Sequence, residues 1–270
     1  MAELHVEGIR VHYRESGSGP PVVLLHAGTS SSAQWRRVDQ YLASRCRTYA
    51  PDLHGHGATD PWPGPAEART HDAEAALAGA LIDHIARPVH LVAHSYGASI
   101  ALRLLLGRPR GVSSAFLLEP NLGSVLRDGA EPALHDEYVQ IMRNFVAQAG
   151  AGQVDRAWSE YLSANENPGT WNGMKDEARS RLRSSTDLAV SVCHANLNNA
   201  TTLAECSRIA VPTTLVYGDQ TKARYRRIAE LLAGAIPGAR LRVLPGASHM
   251  SPLTHPEAVA EAVAGHLDGL

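Results

Sequence analysis

Short apolar runs alternate along this chain with longer amphipathic or alanine-rich stretches, a rhythm that predicts strands and helices in turn. Residues 4–6 and 9–13 flank Gly8 and read as a hairpin; 22–25 reads as a buried strand, 33–43 as a helix and 48–50 as a strand. A loop over 51–65 leads into an alanine-rich helix over 70–86, then a strand over 89–92, a helix over 98–106 and a strand over 112–118. A late block repeats the rhythm, with a strand over 213–217, a helix over 223–232, a strand over 240–244 and a closing helix from Pro256. Between Pro120 and about Ala210 the alternation stops and the pattern is helical only, over 132–149, 153–162, 174–182 and 188–197. Alternation implies an α/β architecture, a mostly parallel sheet flanked by helices. The helical interruption divides it into a core, residues 1–120 and 210–270, and a cap over 121–209. Within the cap, Phe145 and Trp158 are expected in its own interior. Trp171, which follows Pro168-Gly169-Thr170, and Met142 are expected to line a pocket beneath it.

The 270 residues are enough for one large domain with an insertion. A net charge of −2 gives no electrostatic case for nucleic acid or an anionic membrane as partner. The first seven residues carry neither a basic nor an apolar signal region, and no apolar stretch reaches membrane-spanning length. Cys46, Cys193 and Cys206 are widely spaced and odd in number, which argues for a reducing compartment; the expectation is a cytoplasmic protein. Fourteen histidines raise the question of metal. His54-Gly55-His56, followed by Asp60, partly matches the His-x-His-x-Asp-His run of a binuclear hydrolase, but the aspartate and the further histidine are out of place. The glycines around His56 suit a tight loop better than a ligand scaffold, so neither metal nor other cofactor is expected.

The chemistry centres on Ala93-His94-Ser95-Tyr96-Gly97, where a strand turns directly into a helix. Alone, the pentapeptide could describe a serine capping a buried helix. With small residues two before and two after the serine, it also describes a nucleophile elbow, which holds a strained serine at the top of a sheet. A serine hydroxyl needs a base, a carboxylate orienting that base, and donors for the oxyanion. His249, in the loop Leu244-Pro245-Gly246-Ala247-Ser248-His249 after the last strand, is the expected base. The turn His26-Ala27-Gly28 after the strand at 22–25 is placed to offer the Gly28 amide, with the Tyr96 amide as the second donor; Ala27 and Met250 are expected in the pocket wall.

These pieces resemble an α/β-hydrolase-fold enzyme with a helical cap along essentially the whole chain. The matching motifs are His26-Ala27-Gly28, Asp52-Leu53-His54-Gly55-His56-Gly57, the elbow, and Pro245-Gly246-Ala247-Ser248-His249. The resemblance implies a serine hydrolase, because Ser95 cannot form the ester intermediate of the aspartate-nucleophile branches, the haloalkane dehalogenases and epoxide hydrolases. In most of the family the acid comes third after the glycine ending the next-to-last strand, where this chain has Thr221; Asp219 stands two residues early. Glu119 ends the preceding strand after four apolar residues, a poor place for a passive surface charge. Zearalenone-type lactonases are similar in having a glutamate there, and their cap resembles Trp171-Asn172-Gly173-Met174 with Glu177 and Arg181. Glu119 is therefore the expected acid and Asp219 the alternative. The reading is a cofactor-independent hydrolase of a small-molecule ester or lactone with a sizeable apolar part. Thioester or carbon–carbon hydrolysis, peracid formation, and a receptor-like protein retaining the triad remain the alternatives.

Overall fold

The computed structural model describes residues 2–107 and 111–270. In chain order the strands are β1 (Ala2–Val6), β2 (Ile9–Gly17), β3 (Pro21–Leu25), β4 (Arg47–Pro51), β5 (Val89–His94), β6 (Val112–Leu118), β7 (Thr213–Gly218) and β8 (Arg240–Leu244). They form one sheet in the order β1-β2-β4-β3-β5-β6-β7-β8. β1, β2 and β4 pair antiparallel in succession; every pair from β4 through β3 to β8 is parallel. This is the α/β-hydrolase fold. The inner strands β3, β5 and β6 are buried along most of their length because helices cover both faces, which is why they read as continuous apolar runs. β8 alternates Arg240 and Arg242 with apolar residues and leaves four of its five positions exposed, as suits an edge strand.

Helices α1 (Arg36–Leu42), α2 (His71–Ile85) and α3 (Tyr96–Leu106) belong to the first half of the core. Between β6 and β7 lie α4 (Ser124–Asp128), α5 (Pro132–Gly150), α6 (Val154–Asn165), α7 (Thr170–Gly173), α8 (Asp176–Ser184), α9 (Thr186–Asn198) and α10 (Leu203–Cys206). The chain ends with α11 (Ala223–Ala235), α12 (Ser251–Thr254) and α13 (Pro256–Asp268). The four helices expected in the cap are α5, α6, α8 and α9. The short α4, α10 and α12 have no counterpart in the sequence pattern, because four or five residues carry no periodic signal, whereas α7 begins beside Trp171 where Pro168-Gly169-Thr170 suggests a helix start. The helix expected over 33–43 is a 3₁₀ turn, Ser32–Trp35, running into α1. α4 and α10 pack against α11 of the core, as the first of the longer helices, α5, also does; α5 to α9 form the roof over the sheet edge. Among the described residues, no helix is long and apolar enough to cross a membrane.

Sheet register positions the site. Leu25 lies beside Ala93, His94 beside Leu118, Leu118 beside Val216, and Gly218 beside Leu244. The carboxyl ends of β3, β5, β6, β7 and β8 therefore meet along one edge, where ligands bind in open α/β sheets.

Buried titratable groups set an acid limit on this fold. Burial lowers the imidazoles of His71 and His266 from 6.5 to about 4. Glu74 is also fully buried, which by itself would raise it, yet hydrogen bonding by His54 and the charge of Arg69 hold it at about 2. The unfolded chain takes up the histidine protons near pH 6.5 and the Glu74 proton near 4.5; the folded form does so only near 4 and 2. Stability from these groups is complete above pH 6.5 and declines steadily on acidification, His71 alone withdrawing about 3 kcal/mol once protonated. Thermal melts from pH 8 to 4 are expected to show a falling midpoint below 6.5; a flat midpoint down to pH 4.5 would contradict this account.

Candidate active site

At the end of β5 the chain reverses into α3 within one residue. Ser95 takes φ 54° and ψ −115°, a conformation outside the usual basins, and its N–H donates to the Leu118 carbonyl at 2.9 Å. So sharp a turn brings α3 against the end of β3. A Cβ on Gly97 would stand 2.5 Å from the Leu25 carbonyl oxygen and 2.6 Å from that of His26, so glycine is required there. Ala93, two residues before the serine, has no exposed surface at all.

The Ser95 hydroxyl lies 3.0 Å from His249 Nε2, and His249 Nδ1 lies 2.7 Å from Glu119 Oε2. An ionised carboxylate only accepts, so Nδ1 carries the proton that it donates to Glu119, and Nε2 is left free to accept from Ser95. Glu119 is completely buried directly beyond β6, at φ 46°. Its Oε1 accepts from the Gly218 N–H at 2.8 Å and its Oε2 also accepts from the Thr221 hydroxyl at 2.7 Å. Thr221 occupies the place where the family pattern has an acid, and there its hydroxyl donates to Glu119. Asp219 points elsewhere. It is exposed, and its Oδ1 accepts from the Gly246 N–H at 2.8 Å, tying β7 to the loop that carries His249.

Two further groups hold His249 in place: Tyr225 carries no motif, and His94 stands in the elbow motif without any role there that the sequence could assign. The Tyr225 ring stacks on His249 with centroids 4.0 Å apart and planes 13° apart. His94, held neutral because burial lowers it well below its ordinary value, donates from Nε2 to the His249 carbonyl at 2.8 Å. The Tyr225 hydroxyl in turn donates to Asn165 Oδ1 at 2.6 Å, and Arg224 donates to the same oxygen at 2.7 Å and to Glu137 of α5 at 2.7 Å. The roof is thereby latched to the element that holds the histidine.

The turn after β3 is held by its own histidines. The Ala27 N–H donates to Gln34 Oε1 and the Thr29 N–H to His56 Nε2, both at 3.2 Å. His56 Nδ1 donates to the His54 carbonyl at 3.0 Å, and His54 Nδ1 meets Glu74 at 3.1 Å. His26 donates from Nδ1 to the Ala27 carbonyl at 2.7 Å and accepts from the Leu53 N–H at 3.1 Å. Burial lowers both His26 and His56. The His54-Gly55-His56 loop is thus a scaffold of hydrogen-bonded imidazoles behind the turn, and Gly57 passes so close to Asp52 that a Cβ would stand 2.1 Å from its carboxylate. Among the described residues, the Gly28 and Tyr96 amides have no protein acceptor, and a Cβ on Gly28 would stand 3.5 Å from that of Tyr96.

Ser95 and His249 open on a cavity of about 410 Å³ between core and roof, a size suited to a small organic molecule. Ala27 and Met250 line it. Trp171 and Met142 do not, which corrects the expectation for both. α7 is a single turn that directs Thr170 to the cavity, while Trp171 lies beneath the Arg183 guanidinium, 5.4 Å from its ring centroid. Met142 is buried in the apolar interior of the molecule, on α5 where it packs against α6 and α9. The aromatic wall is Trp158 and Tyr161 instead, both packed edge-on against Phe145 with centroids at 4.9 and 5.2 Å. Trp158 is in the cap interior, as expected, and forms the cavity surface as well. Asn121, Asn196 and Glu166 also line the cavity and carry no sequence signal. Glu166 accepts from the Ser248 hydroxyl at 3.3 Å, and burial raises its carboxyl above the ordinary range.

Residues 22–262 match the model of the Alpha/beta hydrolase family. An Epoxide hydrolase 2 of Siraitia grosvenorii is 33% identical over 162 residues, 57% of this chain and 51% of that protein, so the chain spans about half of that relative's length. A pimeloyl-[acyl-carrier protein] methyl ester esterase of Chromobacterium violaceum is 29% identical over 257 residues, 93% of this chain and 96% of the relative. The crystal structure of a hydrolase from Pseudomonas aeruginosa PA01 is similar with a TM-score of 0.80 at 23% identity, covering 98% of this chain and 97% of that one. The chain belongs to the Alpha/beta hydrolase family.

Proposed function

We propose that this protein is a serine hydrolase that cleaves a carboxylic ester or lactone with a sizeable apolar part through an acyl-enzyme. The observation that carries the reading is the unbroken line of hydrogen bonds from Ser95 through His249 to Glu119, ending at a largely apolar cavity. Ser95 Oγ attacks the carbonyl carbon as His249 Nε2 takes its proton. The oxyanion is received by the Gly28 amide of the turn after β3 and by the Tyr96 amide at the N-terminus of α3, whose dipole also favours negative charge. Collapse of the tetrahedral adduct expels the alcohol, which takes the proton back from His249, and leaves Ser95 acylated. A water, deprotonated by the same imidazole, then attacks the ester, and the imidazolium returns that proton to Ser95 Oγ as the acid is released. Throughout, Glu119 stabilises the imidazolium without itself being protonated.

The esterase relative supports an ester as the reacting group, and a glutamate acid directly after β6 supports the likeness to zearalenone-type lactonases. The epoxide hydrolase relative's reaction is not carried over, since Ser95 offers a hydroxyl in place of a carboxylate nucleophile. A lactone differs from an ester only in that the alcohol stays tethered to the acyl group, so the same groups serve both.

Release of p-nitrophenol from p-nitrophenyl acetate, followed over many turnovers, tests the reading. Continued release that stops after a p-nitrophenyl phosphonate modifies Ser95 is the expected result. Release that stalls after about one equivalent would mark a ligand-capturing protein and overturn the hydrolase reading.

A further inference from the structure

The cavity wall is largely apolar, yet it contains polar side chains whose hydrogen-bonding capacity goes unused. Asn196 is 3% exposed, and among the described residues neither its Oδ1 nor its Nδ2 has a protein partner. Asn121 is 4% exposed, and its Oδ1 is likewise unpaired. Asn121 follows β6, and its backbone N–H donates to the Ser95 carbonyl at 3.2 Å. Asn196 lies on α9 one turn beyond Val192, the residue whose Cγ1 would stand 2.9 Å from a Cβ on Gly28. Burying an amide without a partner costs folding free energy, so native structures retain few such groups and each requires a reason. Nothing in the triad or the oxyanion turn uses these two.

Resting on the proposed hydrolase reading, we infer that Asn196 and Asn121 form a polar recognition site, and that the substrate carries on its apolar body a neutral group able both to donate and to accept, an alcohol hydroxyl or a carboxamide. The buried amide of Asn196 offers one donor and one acceptor side by side, and Asn121 adds an acceptor, so a group with both capacities satisfies the site where a ketone or a methyl group leaves part of it unpaired. A carboxylate on the substrate is disfavoured. The described lining holds no lysine or arginine to offset its charge. Sites that hydrogen-bond a substrate group discriminate strongly against the analogue lacking it, because the buried partners are then left exposed to the same penalty.

The test compares p-nitrophenyl esters of 6- and 8-carbon acids ending in a hydroxyl, a carboxamide, a methyl ether or a plain methyl group, with wild type and Asn196→Leu. Wild type is expected to favour the hydroxyl or carboxamide ester over its methyl-terminated counterpart by about tenfold in kcat/KM, the worth of one net hydrogen bond. Asn196→Leu is expected to reduce that ratio to about one, mainly through KM, and to melt at a higher temperature because the unpaired amide is gone. Asn121→Leu should erode the same ratio and serves as the second variant if Asn196→Leu does not fold. Turnover of all esters without preference in wild type would overturn the inference and leave the hydrolase reading standing. An Asn196→Leu protein that melts lower and keeps the full preference would also overturn it, returning the amide to a structural role. Absence of turnover on every ester would defeat the hydrolase reading, and the substrate site with it.

Discussion

Replacing Ser95 with alanine is expected to lower kcat on p-nitrophenyl esters by about 10⁶-fold, as loss of the nucleophile does in a serine protease whose triad acts as a unit. The change removes one hydroxyl and its 3.0 Å hydrogen bond to His249 Nε2. It leaves untouched the Ser95 N–H bond to Leu118 and the close approach of Gly97 to β3 that define the elbow. The folded state should therefore survive, with a melting temperature close to that of wild type. A kinetic assay and a thermal melt on the same preparation separate loss of chemistry from loss of fold. Turnover near the wild-type level would overturn the serine mechanism, whatever the melt shows.

Glu119→Gln is expected to cost about 10⁴-fold in kcat, the loss seen when a triad carboxylate becomes an amide. The amide keeps the size of the side chain but loses the charge that stabilises the imidazolium. It can also present a donor to Nδ1, which forces His249 into the wrong tautomer, and it must still face the Gly218 N–H and the Thr221 hydroxyl. Asp219→Asn should cost less than about tenfold, because Asp219 touches the Gly246 N–H and reaches His249 only through the loop between them. The two single variants are measured side by side. An inactive Asp219→Asn beside an active Glu119→Gln would move the acid to the loop after β7 that most of the family uses, shifted there by two residues.

Much of this arrangement could be read from the sequence because it is local. A strand followed at once by a small-residue turn and a helix fixes Ser95 at the carboxyl edge of a parallel sheet, whatever covers that edge. The same reasoning puts Glu119 at the end of β6, His249 beyond β8 and Gly28 beyond β3, since parallel pairing brings those ends together. The sequence ranked Glu119 ahead of Asp219, from the apolar strand before it and the lactonase likeness, but could not show what each carboxylate touches. That depended on Thr221 and Gly218 donating to Glu119 across a sequence separation of about a hundred residues, while Asp219 turned to Gly246.

The sequence by itself determined the order of strands and long helices, the elbow, and the residues standing at the sheet edge, because each follows from a period or a turn within a few neighbouring positions. Only the tertiary structure decided which side chains face the cavity. On a helix, consecutive residues point about 100° apart, so a small rotation of α6 or α7 exchanges a wall residue for an interior one, and that rotation is fixed by packing against helices distant in the chain. Trp158 rather than Trp171, the Tyr225 ring on His249, and the unpaired amides of Asn121 and Asn196 were all settled by such packing.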